Sequence, residues 1–133
     1  MPPTQNERPP AFEGGLALRV LRRHKDGVTV ECPANASLLN NTGVMHGGVI
    51  ASIADEAVWY ALLEYYGRRE CTTTELKVNY LRPIPPGRTT ARAHLVRSGR
   101  TLCVGRVDIF DTRRRLAAVA VVTYILLDSR GTG

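Results

Sequence analysis

Two features in the stretch from Asn40 to Tyr66 could do chemistry. The first is His46-Gly47-Gly48, standing where a helix begins. Adjacent residues without Cβ let a ligand approach bare backbone N–H groups, and the positive end of the helix dipole lies behind them. Such a pocket suits a developing oxyanion. The second is Asp55, which lies too deep for the first helical turn, where a carboxylate would be helped by orphan N–H groups. Asp is also a poor interior helix former, so a group outside the helix should have a use for its charge. Ser52 and Trp59 share its face at i−3 and i+4, and Glu56 follows it directly. Each residue alone has a plain structural explanation: an entry turn at the glycines, a capping histidine, a salt-bridged acid. Together they place donors and a carboxylate within two or three turns, which is a site hypothesis.

The element that must position them is a helix from Gly48 to Tyr66, about five turns at 3.6 residues each. Ala, Ile, Val, Leu, Trp and Tyr run almost all the way round it, so it must be buried on most sides. Before it, Leu16 to Leu21 reads as a strand, Asp26-Gly27 as a hairpin turn and Val28 to Cys32 as a second strand ended by Pro33. Asn35 to Asn41 reads as a short helical turn or irregular segment leading to the site loop. Gly67 is a helix-ending residue. Cys71 to Arg82 alternates as a strand, with Thr72, Thr74, Leu76, Val78 and Tyr80 on one face and Thr73, Glu75, Lys77 and Asn79 on the other. Pro83, Pro85, Pro86 and Gly87 stop it. Arg88 to Val96 and Thr101 to Phe110 read as antiparallel neighbours across the Arg97–Arg100 turn. Leu116 to Leu127 reads as a strand covered on both faces. The fold class is α+β, an antiparallel sheet curled around one helix whose surplus apolar surface points to self-association. Residues 1–12 read as a flexible arm, 13–128 as one domain and 129–133 as a frayed tail.

The 133 residues suit one domain with a real core, and 44% hydrophobic with 23% charged residues is ordinary for a soluble globular protein. No basic segment precedes an apolar one at the start, and no apolar run is long enough to span a bilayer, so a cytoplasmic protein is expected. Cys32, Cys71 and Cys103 are odd in number and widely spaced, and read as buried free thiols with no metal spacing. The net charge of +6 comes largely from 16 arginines, residues that favour phosphate or carboxylate partners. Helix-turn-helix, zinc-finger and aromatic-basic patterns are lacking, which argues against nucleic acid.

Asn40-x-x-Gly43-x-x-His46-Gly47-Gly48, followed by Ser52-Ile53-Ala54-Asp55-x-Ala57, resembles the hotdog superfamily of acyl-CoA thioesterases, in particular the phenylacetate-pathway type. The resemblance runs from about Leu16 to Leu127 and includes Tyr80-Leu81-Arg82-Pro83 and the Ser98-Gly99-Arg100 turn. It implies the hotdog fold, a site shared between two subunits, and hydrolysis of an acyl-CoA thioester without metal or organic cofactor. By resemblance, the N–H of Gly48 or Gly47 stabilises the oxyanion, Asn40 places water or carbonyl, and His46 supports the loop. Asp55 of the other subunit is nucleophile or general base, and Thr73 orients the water. Asp55 lies nine residues after His46, half a turn out of phase at 100° per residue, which agrees with action across an interface. Trp59 is a candidate for the acyl pocket, and Arg82, Arg97 and Arg100 for the coenzyme A phosphates. A homotetramer, as a dimer of dimers, is expected. Aryl-acyl groups such as phenylacetyl or hydroxyphenylacetyl, and medium-chain fatty acyl groups, are the candidate substrates.

Glu56 and the bulk of Trp59 and Tyr60 depart from the family pattern. Two other functions compete. A hotdog dehydratase would carry a differently built, proline-rich histidine loop. A non-catalytic acyl-CoA sensor would keep the pocket without needing Asp55.

Overall fold

The computed structural model describes residues 16–34 and 36–127. The expected arm and tail lie outside the described residues, as does Asn35. The chain forms β1 (Arg19–His24), β2 (Gly27–Ala34), a 3-10 turn (Ala36–Leu38), α1 (Gly47–Tyr66), β3 (Cys71–Tyr80), β4 (Gly87–Ser98), β5 (Leu102–Phe110) and β6 (Leu116–Leu126). The six strands make one sheet in the order β1-β2-β4-β5-β6-β3, every neighbouring pair antiparallel. The helix lies on one face and packs against β2 through β6. This is the expected sheet curled on a helix.

Apolar side chains of α1 make the core. Ile50, Ile53, Ala54, Ala57, Val58, Ala61 and Leu62 are buried against the inward residues of the sheet, such as Val28, Val30, Val107, Ile109 and Val122. Helix and sheet approach closely at Gly105 of β5, where an added Cβ would stand 2.8 Å from both Val58 methyls. Only a residue without a side chain lets helix and sheet meet there.

Four expectations need correction. β1 starts at Arg19, later than expected, because Ala17 takes a φ of 49° and Leu16 turns into the core. Pro33 does not end β2, which continues to Ala34; beyond Glu31 only β4 pairs with it, so the missing N–H can face the unpartnered side. In β6 only one face is covered within the chain, since Val121 and Ile125 on the other are 41% and 38% exposed. Continuous apolarity read as two-sided burial, yet no described element covers the second face.

The fourth correction bears on the site. β3 pairs with β6 as Thr73↔Tyr124 and then Glu75↔Thr123, so Thr74 is an extra residue in a bulge. The bulge shifts the alternation by one, and Thr73 joins Val78 and Tyr80 on the helix side instead of opposing them. β3 is also an edge: β6 is its sole partner among the described strands. The chain leaves it through Leu81–Pro86 and crosses the end of the sheet to reach β4, with Ile84 fully buried under the crossing.

Replacing Gly105 with Ala should overpack the contact with Val58 and lower stability by about 1–3 kcal/mol. Urea denaturation would measure it, and Val58→Ala in the same chain should restore part of the loss.

Candidate active site

The loop before α1 is tied down by its own side chains. Asn40 Oδ1 accepts from Thr42 N–H at 2.9 Å, Thr42 Oγ1 at 2.7 Å and Val44 N–H at 3.3 Å. Its backbone N–H meets the Val44 carbonyl at 2.7 Å, while Gly43 turns the chain with a φ of 84°. A side chain of this kind mimics a backbone turn, which explains Asn at this place. Met45 N–H then donates to the Ile84 carbonyl at 2.7 Å and His46 N–H to that of Leu38 at 2.9 Å, anchoring the loop to the β3–β4 crossing.

His46 is the helix N-cap, with extended backbone (φ −62°, ψ 137°), and its Nδ1 accepts the Gly48 N–H at 3.2 Å. The ring proton therefore sits on Nε2. The Gly47 N–H donates to no described group, and the Gly47 carbonyl accepts from Tyr80 Oη at 2.8 Å. Ser52 Oγ bonds back to the Gly48 carbonyl at 2.9 Å, the usual i−4 use of a mid-helix serine.

Asp55 points at β3 and β6. Its Oδ1 accepts from Thr73 Oγ1 at 2.7 Å and Tyr124 Oη at 2.9 Å, and the Tyr124 hydroxyl also lies 3.0 Å from the Asp55 carbonyl. No described donor reaches Oδ2. Burial first, and then the negative charge of Asp55, push the Tyr124 phenol up, so it remains a donor to the carboxylate. The two carboxylates go separate ways. Glu56 is half-buried on the side of β2, where its charge adds to burial in raising the Cys32 thiol to about 11. Burial and the charge of Asp55 hold the Glu56 carboxyl above the usual range.

One turn beyond Asp55, Trp59 is 41% exposed and begins a half-open cleft of about 230 Å³ between the end of α1 and the start of β3. Leu62, Leu63, Tyr66, Cys71 and Leu126 line it, with Gly67 to Glu70 at the mouth. Cys32 and Cys103 are buried thiols as expected, whereas Cys71 is only partly so.

The structure brings Thr73 and Asp55 together, and His46 with Gly47 and Gly48. It does not bring these two groups to each other, because seven residues of helix separate Gly48 from Asp55, about 10 Å along the axis. The three arginines are also split. Arg82 follows the Tyr80 end of β3, whereas Arg97 and Arg100 flank the β4–β5 turn, whose Gly99 carbonyl is held by Tyr66 Oη at 2.6 Å near the helix C-terminus. Sequence reasoning missed Tyr124 and Tyr80. A phenol in the largely apolar run of β6 was the available signal for Tyr124, since a buried phenol needs a partner.

The thioesterase superfamily model matches residues 42–118, which hold the loop from Thr42 on, the helix, β3 to β5 and the start of β6. The chain belongs to the thioesterase superfamily. A medium/long-chain acyl-CoA thioesterase, YigI of Salmonella typhimurium, is 32% identical over a 131-residue alignment covering 86% of this chain and 84% of the relative. The Escherichia coli K12 protein of the same name is 28% identical over the same coverage. Among solved structures, a mutant of the phenylacetic acid degradation protein PaaI from Thermus thermophilus superposes with a TM-score of 0.76 at 28% identity, covering 88% of this chain and 99% of that one. The fold is the hotdog fold and the chain is a thioester hydrolase. Among the described residues, no helix is long and apolar enough to cross a membrane.

Because its folded-state pKa is raised, Glu56 is a source of stability loss as pH climbs through and above its ordinary 4.5. Glu56→Gln should therefore raise the Tm at pH 7, with the difference shrinking as pH falls toward 4. Differential scanning fluorimetry across that range would show it, and an equal gain at both ends would contradict the assignment.

Proposed function

We propose that this chain hydrolyses acyl-CoA thioesters as a homodimer whose sites each combine the Gly47-Gly48 loop of one subunit with Asp55 of the other. The observation that carries this reading is the separation of the two groups on one rigid helix. A thioester carbon must sit roughly 3 Å from both an oxyanion donor and the attacking group. One chain cannot meet that demand and a second can. Within the chain, Tyr80 ties one end of β3 to Gly47 and Thr73 ties the other end to Asp55. Pairing two unpaired β3 edges antiparallel sets the Tyr80 end of one against the Thr73 end of the other, which carries the donor loop to the carboxylate.

In the proposed reaction, the carbonyl oxygen of the thioester takes the Gly48 N–H from His46 Nδ1, with the Gly47 N–H alongside. Asp55 Oδ2 either removes a proton from the attacking water or attacks the carbonyl carbon itself. The Thr73 and Tyr124 hydroxyls hold Oδ1, so the free oxygen faces the substrate, and Thr73 is placed to orient the water. The tetrahedral oxyanion collapses by breaking the C–S bond and the coenzyme A thiolate leaves. On the water route it takes up the proton Asp55 removed and the free acid is released. On the direct route the Asp55 anhydride left behind is hydrolysed by water to the free acid and the restored carboxylate. Asn40 keeps the loop folded, and its amide nitrogen is left to place water or carbonyl.

The cleft that starts at Trp59 supports an assignment of the acyl group. It is lined largely by apolar and aromatic side chains, Leu62, Leu63, Tyr66 and Leu126 among them. That suits an aryl-acetyl or medium-chain acyl group. Antiparallel pairing would also bring Arg82 of one subunit to the end of the sheet that carries Arg97 and Arg100 of the other, giving the coenzyme A phosphates one basic surface. Exposed apolar residues on the outer sheet face, Val121 and Ile125, would suit pairing of dimers into a tetramer.

Thiol release from a panel of aryl-acetyl, benzoyl and straight-chain acyl-CoAs tests the reading. Asp55→Asn should lose on the order of 100-fold or more in rate. Binding of the panel by native protein without turnover of any member would defeat it in favour of a sensor. Trp59→Ala should move the preference toward longer or bulkier acyl groups, read as a shift of the kcat/KM maximum along the same panel.

A further inference from the structure

The Gly47–Gly48 peptide is gripped at both ends. Tyr80 Oη donates to its carbonyl at 2.8 Å, and its N–H donates to His46 Nδ1 at 3.2 Å. The Tyr80 ring also covers Gly47, since a Cβ built there would meet ring carbons at 3.6 and 3.8 Å. A peptide is planar, so its C=O and N–H point in fixed, opposite directions. A donor that fixes the oxygen therefore fixes the N–H as well.

We propose that Tyr80 is a positioning residue for thioester hydrolysis. Its hydroxyl holds the Gly47–Gly48 peptide in place at the first turn of α1 and so keeps the Gly48 N–H aimed at the thioester oxygen, a role that rests on the oxyanion reading given above. The geometry separates the two holders of this peptide. His46 Nδ1 competes for the N–H that the substrate oxygen takes, and must give it up. Tyr80 acts on the far side of the peptide and keeps its bond throughout the reaction. Donation to the carbonyl also polarises the amide, making its N–H a stronger donor as charge builds on the oxyanion. Packing within the chain does not account for the residue: Tyr80 is 54% exposed there and stands outside the buried core. The same strand thus holds both halves of the proposed machinery, Thr73 on the carboxylate and Tyr80 on the donor peptide.

Tyr80→Phe keeps the ring over Gly47 and removes only the hydroxyl. It should lower kcat about tenfold, the effect of one neutral hydrogen bond, with KM within about twofold and Tm unchanged. Affinity for two inert coenzyme A analogues gives the decisive readout: a 2-oxoalkyl thioether, which offers a carbonyl oxygen, and the matching alkyl thioether, which does not. Native protein should prefer the oxo analogue, and Tyr80→Phe should shrink that preference several-fold while leaving the alkyl analogue unaffected. Equal weakening of both analogues, or an undiminished preference for the oxo analogue, would overturn the role of Tyr80 alone. If native protein does not discriminate between them, the oxyanion reading falls and this inference falls with it.

Discussion

The rigidity of one helix governs this molecule. Gly48 and Asp55 belong to the same unbroken α1, so the rise of an α-helix fixes them about 10 Å apart. No loop motion inside the chain can close that gap, because α1 is packed on the sheet along its buried face. A donor at the start of such a helix and a carboxylate two turns along it can act on one carbonyl only if they come from different copies. The proposed dimer is thus a consequence of helix geometry, not an addition to it.

The edge strand β3 turns that constraint into a construction. It runs antiparallel to β6 beside the helix, and its two ends hold the two chemical groups, Thr73 on Asp55 and Tyr80 on Gly47. Strict alternation would put residues 73 and 80 on opposite faces, and the bulge at Thr74 is what brings both to the helix. An edge strand of ten residues with one free row of N–H and C=O groups is a template for a second strand. Its outward row of Glu75 and Lys77 keeps charges on the solvent side, which discourages indiscriminate pairing.

Much of the fold could be read in the sequence. The helix stood out because its apolar residues run nearly all round, and the strands because glycine, proline and Asp-Gly punctuate them cleanly. Three things were harder to read. Alternation in Cys71 to Tyr80 gave no sign of the bulge, since a threonine fits either face of a strand. The apolar run of β6 did not tell cover within the chain from cover by another copy. The supporting hydroxyls of Tyr80 and Tyr124 were hidden because each bonds a residue more than 30 positions away, and no local pattern encodes such a pairing. The loop was legible for the opposite reason: Asn40, Gly43 and His46 act on residues within four positions of themselves.

The claim that each site is shared between two copies is tested most directly by subunit complementation. Asp55→Asn and Gly48→Pro each remove one half of the proposed site, the latter by deleting the N–H in the first helical turn, where proline is tolerated. Each variant alone should be nearly inactive. Unfolded together and refolded at equal concentration, they should recover about a quarter of native activity, because half of randomly paired C2 dimers carry one intact site of two. Recovery of no activity by mixtures shown to contain mixed dimers would contradict the shared site.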